Sequence, residues 1–189
     1  MTTRHCDAEI PDSPRPPYPL VSGYCDITCG FGRGSAELGI PTANVPIEEL
    51  SVEFNNLSLG IYFGFAKVQA IDKQLSVDSR SDGTKVEFNY GRYLSKEKDD
   101  LNVLPVVLSI GKNPFYGNNF KTIELHIIHK FNKDFYGAKV KFCILGYLRP
   151  ELDYTTKEAL IKDINIDIYK SLSVLSKDSY KSLGSLLDD

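Results

Sequence analysis

The strongest limit on the fold is a succession of short strand-like segments with no helical pattern between them. Residues 21–29 alternate apolar or small with polar side chains, and residues 60–68 (GIYFGFAKV) are rich in aromatic and β-branched types. Further segments of the same kind lie at 103–110, 122–129 and 139–148. Gly60 and Gly64 fall where a sheet bends sharply or another backbone approaches. At least five strands joined without helices predict an antiparallel sheet, closed as a barrel or packed as a sandwich, and exclude a doubly wound α/β fold. One stretch, 72–102, turns polar, but Lys85-Val86-Glu87-Phe88-Asn89-Tyr90 inside it alternates cleanly. It predicts a protruding strand or hairpin inserted between two strands of the sheet. A single amphipathic helix is expected at about 156–175, where Leu160, Ile161, Ile164, Ile168, Leu172 and Leu175 recur at helical spacing behind a capping box at Thr155-Thr156-Lys157-Glu158. It would pack on the outside of the sheet, with a further turn or two in 179–189.

A chain of 189 residues with 42% hydrophobic content favours one domain with a real core. Half of its 10 prolines, Pro11, Pro14, Pro16, Pro17 and Pro19, fall in the first 20 residues. Proline fixes φ and removes backbone donors, so residues 1–17 read as an extended N-terminal arm and 18–189 as the folded domain. No apolar run approaches the roughly 18 residues of a membrane span, and Asp7, Glu9 and Asp12 interrupt any signal or transit peptide. These features read as a soluble, intracellular protein. A net charge of -3 argues against nucleic acid as a partner. Four cysteines, Cys6, Cys25, Cys29 and Cys143, are too sparse for a disulfide scaffold. If 21–29 is one strand, Cys25 and Cys29 share a face and read as small packing residues rather than zinc ligands.

Gly30, Gly32 and Gly34 alternate in the run Gly30-Phe31-Gly32-Arg33-Gly34-Ser35. Such a run either lets backbone N–H groups converge on an anion or forms a bulged turn. It is neither a P-loop nor a dinucleotide fingerprint, because the spacing and the following pattern are wrong for both. Downstream, Thr42 and Asn44 stand two residues apart, so in an extended stretch their oxygens point to one side. They are hard donors suited to Mg2+, or else turn residues satisfying backbone groups. In Thr122-Ile123-Glu124-Leu125-His126-Ile127 the period of two separates Thr122, Glu124 and His126 from the apolar face. A carboxylate so placed is a solvated residue on an open face, and a proton acceptor inside a cleft.

Together these segments resemble the signature of riboflavin kinases. The resemblance runs through 30–44 and resumes at Gly60-Ile61-Tyr62, Ser109-Ile110-Gly111, Glu124 to His129, Asp134-Phe135-Tyr136-Gly137 and Gly146-Tyr147-Leu148-Arg149-Pro150-Glu151. It covers about residues 18 to 175 in the family's order. It implies a mainly β fold, a six-stranded Greek-key β-barrel with a C-terminal α-helix. The implied reaction moves the γ-phosphoryl of MgATP to the 5'-hydroxyl of riboflavin, giving FMN and ADP, in a monofunctional, monomeric enzyme, with Zn2+ or Mn2+ as alternatives to Mg2+. By the same resemblance Glu124 is the catalytic carboxylate, and Thr42 and Asn44 contact metal and phosphate. Gly30, Gly32, Arg33 and Gly34 belong to the nucleotide flap, and His129, Phe135 and Tyr136 to the adenine side. Arg149 matches an arginine in a mobile flap beside the flavin, and Tyr154 an aromatic contact to its rings.

Ala36 stands where the family often has a lysine, a lost cation for which either Arg33 or Lys112 compensates or the rate differs. The 72–102 insertion exceeds the shortest family members. The competing functional class is a barrel that retains FMN or a nucleotide without turnover. A third, a single-strand-binding barrel, needs aromatic platforms in a basic groove that the acidic composition does not favour. The compartment implied is the cytoplasm, with organelle association not excluded by the proline-rich arm.

Overall fold

The structure is a computed structural model and describes residues 6–30, 42–80, 82–112 and 120–189. The elements run β1 (Leu20–Val21), β2 (Cys25–Asp26), β3 (Ala43–Val45), α1 (Val52–Asn55), β4 (Gly60–Gln69), β5 (Ser76–Ser79) and β6 (Lys85–Phe88). They continue as β7 (Leu104–Lys112), β8 (Lys121–Ile127), β9 (Lys139–Arg149), α2 (Lys157–Leu175) and α3 (Asp178–Lys181). Among the described residues one antiparallel sheet of seven strands has the order β1-β9-β4-β7-β8-β3, with β2 also on β9, while β5 and β6 form a separate hairpin. The protein is therefore mainly β, with its long helix α2 and the short α3 at the end of the chain and the single-turn α1 between β3 and β4.

The long central strands are hydrophobic on both faces, and each face has its own core. One cluster gathers Tyr62, Ala66, Leu108, Ile110, Ile123, Leu125, Phe142 and Ile144. The other gathers Phe63, Phe65, Cys143 and Leu145 under Val174, Leu175, Tyr180 and Leu187 from the C-terminal helices. Where β4 crosses β9 the register shifts between Phe63 and Gly64. A Cβ at Gly64 would sit 1.8 Å from the Cys143 carbonyl oxygen, so only glycine permits the close approach.

The segment 21–29 is not one strand. Leu20–Val21 pairs with Cys143 and Ile144, and Cys25–Asp26 with Lys139 and Val140. Between them the Ser22 hydroxyl accepts the Phe142 N–H at 2.9 Å, in place of a backbone ladder bond. The chain then leaves β9, and Thr28 forms an isolated bridge to Asn44. All four cysteines are free thiols; Cys25 and Cys143 are buried, and Cys6 and Cys29 half-buried.

The helix differs from its sequence pattern in two respects. Its N-cap is Thr156, whose hydroxyl accepts the Ala159 N–H at 3.2 Å, so the cap lies one residue beyond the Thr155 that a capping box with Glu158 requires. Its buried stripe is Asp167, Ser171, Val174 and Leu175, while Leu172 is 41% exposed. The stripe is rotated because Asp167 is drawn inward by Arg149. The arm is tied down from residue 7 onward: Asp7 pairs with Lys170, Ala8 N–H donates to the Leu148 carbonyl at 2.8 Å, and the Tyr180 hydroxyl donates to the Pro11 carbonyl at 2.8 Å. Ile10 joins the outer cluster.

Candidate active site

Strand β8 shows the expected alternation, with Ile123 and Leu125 at 0% and Ile127 at 6% exposure and the intervening side chains on the other face. Its neighbours fix what Glu124 meets: Asn44 lies directly across on β3 and Ser109 directly across on β7. The Thr42 hydroxyl hydrogen-bonds the Glu124 carboxylate. Above them opens a cleft of about 390 Å³ between the sheet, the segment 151–154 and the first half of α2. Thr42, Ser109, Glu124, His126, Arg149 and Glu151 supply its polar wall, and Ile61, Val107, Leu160 and Ile164 its apolar one. A concave cavity with an apolar wall facing a polar one is a form a small-molecule site takes, and this one is rich in polar groups.

The electrostatics suit proton transfer. Burial, and next the charge of Glu151, raise the Glu124 carboxyl above its ordinary value, while the Thr42 hydrogen bond acts in the opposite sense. Burial alone lowers His126, which keeps that imidazole neutral. A carboxylate made more basic in this way is the better acceptor of an alcohol proton near neutral pH.

A second cleft, of about 250 Å³, shares Thr42 with the first and runs along Ala43 to Phe131, Asp134, Phe135 and Tyr136. Phe131 and Phe135 meet edge to face at 4.7 Å. Thr42 thus stands where two cavities join, one beside Glu124 and one with an aromatic wall. His129 does not line either cavity. Its Nε2 bonds Asp100 Oδ1 at 2.9 Å and its ring packs on Phe131 at 4.7 Å, one layer behind the wall.

Asn44 also lies outside both linings, against Gly30. Gly30 has φ +56, and a Cβ there would fall 2.4 Å from Asn44 Nδ2 and 3.2 Å from Oδ1. Gly30 therefore leaves a cradle for the Asn44 amide that any side chain would fill. The other residues of the glycine run, Gly32, Arg33 and Gly34, with Ala36, lie outside the described residues. Thr42, at the meeting point of the cavities, and Asn44, two residues on and directly across from Glu124, offer two hard oxygens. That set fits a cation such as Mg2+, which takes few protein oxygens and completes its shell with water and phosphate. No cluster of three acidic, His or Cys ligands occurs among the described residues.

Arg149 is buried and paired. Its Nε donates to Asp167 Oδ1 at 3.0 Å, its Nη2 to Oδ2 at 2.8 Å and its Nη1 to the Pro150 carbonyl at 3.1 Å. Both side chains are 3% exposed. Burial opposes the arginine's charge, yet the bonds to Asp167 hold its pKa above the ordinary value. Tyr154 lines the first cleft and donates its hydroxyl to Asp163 Oδ2 at 2.7 Å.

The model of the riboflavin kinase family matches residues 21–175. This chain belongs to the riboflavin kinase family. The riboflavin kinase of Saccharomyces cerevisiae is 65% identical over 179 residues, covering 94% of this chain and 82% of that protein. The riboflavin kinase of Candida glabrata is 58% identical over 182 residues, 96% of each chain. Among solved structures, the crystal structure of riboflavin kinase from Trypanosoma brucei is similar with a TM-score of 0.59 at 20% identity, covering 93% of this chain and 91% of that one, a likeness of fold. In this riboflavin kinase family member, the site gains Ser109, Glu151 and Asp167, which sequence reasoning did not single out, and His126, which it placed on the Glu124 face without a role. Ser109, His126 and Glu151 carried a signal, since each lies in a quoted motif; Asp167 carried none, because a lone aspartate on a helix reads as solvent-facing.

Proposed function

We propose that the chain transfers the γ-phosphoryl group of ATP to the 5'-hydroxyl of riboflavin, forming FMN and ADP. The observation that carries this reading is Glu124, a half-buried carboxylate of raised basicity hydrogen-bonded to Thr42 where the two cavities join. Riboflavin occupies the cleft under α2, its ribityl end toward Glu124 and its ring system toward Tyr154 and Arg149. ATP occupies the aromatic cleft, with Phe135 and Tyr136 on the base. A Glu124 oxygen accepts the 5'-hydroxyl proton as the new O–P bond forms. The bond from the γ-phosphorus to the bridging oxygen breaks, and its electron pair leaves with ADP. Thr42 and Asn44 would hold a divalent cation, which when bound neutralises phosphate charge. Thr42 also orients Glu124, and the apolar wall of Ile61, Leu160 and Ile164 excludes bulk water from the reacting hydroxyl.

In the same reading the sheet closes as a six-stranded Greek-key barrel. The order β9-β4-β7-β8, in which the last strand returns beside the first, supports the Greek key, and the Thr28 to Asn44 bridge supports closure between the β2 and β3 ends. Residues 18–189 then form the catalytic domain, with 1–17 as an arm.

Incubation with riboflavin, ATP and Mg2+, with FMN and ADP resolved by chromatography, tests the assignment. Equal amounts of FMN and ADP are expected. Glu124→Gln should cut the rate about 10²–10⁴-fold while riboflavin still binds. Wild-type turnover in that variant removes Glu124 from the reaction. Absence of FMN with intact flavin binding would make the chain a binding module.

A further inference from the structure

The hairpin β5–β6 is inserted between β4 and β7, yet it is fastened to the wall of the aromatic cleft. Asn89, 4% exposed, donates Nδ2 to the Asp134 carbonyl at 2.7 Å. The Tyr90 N–H donates to the Tyr136 carbonyl at 3.0 Å, and the Phe88 ring lies 6.0 Å from that of Tyr136. Strand β5 itself is exposed along its whole length, so the hairpin has little core of its own. Arg80 sits at the start of its turn, where its N–H donates to the Thr84 carbonyl at 2.8 Å. From there its side chain crosses to the cleft. Nη2 donates to the Tyr136 hydroxyl at 3.1 Å, and the guanidinium carbon stands 5.9 Å from the ring centroid. Arg80 Nε is buried and has no hydrogen-bond partner among the described residues. Arg80 is half-buried, and burying its Nε without a partner for one hydrogen bond and one ring face is a poor exchange for stability alone.

We propose that Arg80 is a positioning residue for nucleotide binding, holding the Tyr136 ring in place as a wall of the cleft, so that the inserted hairpin sets the affinity for an adenine nucleotide. The inference rests on the assignment of Phe135 and Tyr136 to the nucleotide side. A ring fixed before binding spares the ligand the entropy of ordering it. Losing the clamp weakens ATP and leaves riboflavin in the other cleft untouched.

The test measures KM for each substrate, and direct ATP affinity by titration without riboflavin, in Arg80→Ala, Arg80→Lys, Tyr136→Phe, Tyr136→Ala and the double variant Arg80→Ala/Tyr136→Phe. Arg80→Ala is expected to raise the KM for ATP about tenfold, the scale of one charged hydrogen bond, with the riboflavin KM within about twofold. Tyr136→Phe loses the same bond, so the double variant should be little worse than either single one. Lysine keeps the charge without the planar fork and should recover part of the loss. Unchanged ATP affinity in Arg80→Ala, with ATP weakened in Tyr136→Ala, overturns the proposal and leaves the nucleotide assignment standing. Unchanged ATP affinity in Tyr136→Ala overturns that assignment as well. Equal loss for both substrates with a lowered melting temperature reduces Arg80 to a structural contact and overturns the proposal.

Discussion

Removing the Asp167 carboxylate isolates a buried cation beneath the larger cleft. The Arg149 and Asp167 side chains are each 3% exposed, and the guanidinium reaches the carboxylate through both Nε and Nη2. In Asp167→Ala the charge stays in place, because Arg149 is rooted at the end of β9, and its partner is gone. Breaking such a pair from one side costs about 3–5 kcal/mol. For a domain of this size each kcal/mol moves the melting temperature by about 2–4 °C, so the variant should melt about 6–20 °C below the wild type. Replacing both partners, in Arg149→Met/Asp167→Leu, removes the buried charge together with its counter-ion and should recover most of that loss. The double variant should not recover riboflavin binding, because Arg149 lines the cleft and its Nη1 holds the Pro150 carbonyl ahead of Glu151 and Tyr154. Thermal denaturation followed by circular dichroism gives the first quantity, and quenching of riboflavin fluorescence the second. A single variant melting within about 2 °C of the wild type would refute the reasoning, since an uncompensated buried guanidinium cannot be that cheap. Full riboflavin affinity in the double variant would remove Arg149 from the flavin site and leave it a scaffold.

Three further outcomes follow from local geometry. Thr156→Ala should cost about 0.5–2 kcal/mol in denaturant titrations, because its hydroxyl caps α2, whereas Thr155→Ala should cost much less. With an excess of a thiol reagent, Cys6 and Cys29 should react in the native protein. Cys25 and Cys143, whose thiols burial pushes up to about 11, should react only after unfolding, as mass spectrometry would register. In metal-free protein, burial and then Glu151 raise the Glu124 carboxyl, so the native state holds its proton to higher pH than the unfolded chain. Stability from this group is therefore fully present below the unfolded value, about 4.3, and falls as pH rises through the folded value. Glu124→Gln should thus be at least as stable as the wild type at pH 7, measured by denaturant titration; a clear loss would contradict the sign.

The parts legible in the sequence share one property: a single backbone period decides them. The face of β8 that carries Glu124 follows from alternation, because a one-residue slip would bury Thr122, Glu124 and His126 in place of Ile123, Leu125 and Ile127. The existence of α2 follows likewise from its apolar recurrence. Its rotation does not, because Asp167 is buried through a bond to Arg149, 18 residues earlier, and propensity has no term for that bond. The same limit explains the broken segment at 21–29, where the Ser22 hydroxyl replaces a ladder bond to Phe142, 120 residues away. Site chemistry is non-local in a stronger sense. Glu124 gains its basicity from burial and from Glu151, and neither is visible where only neighbours in the chain are read. A formal charge of -3 excludes a generally basic surface, but it does not describe the cleft. There Arg149, bound to Asp167, lines the same cavity as Glu124 and Glu151, and burial first and the Glu151 charge second raise the Glu124 carboxyl, a local effect that the net charge does not report.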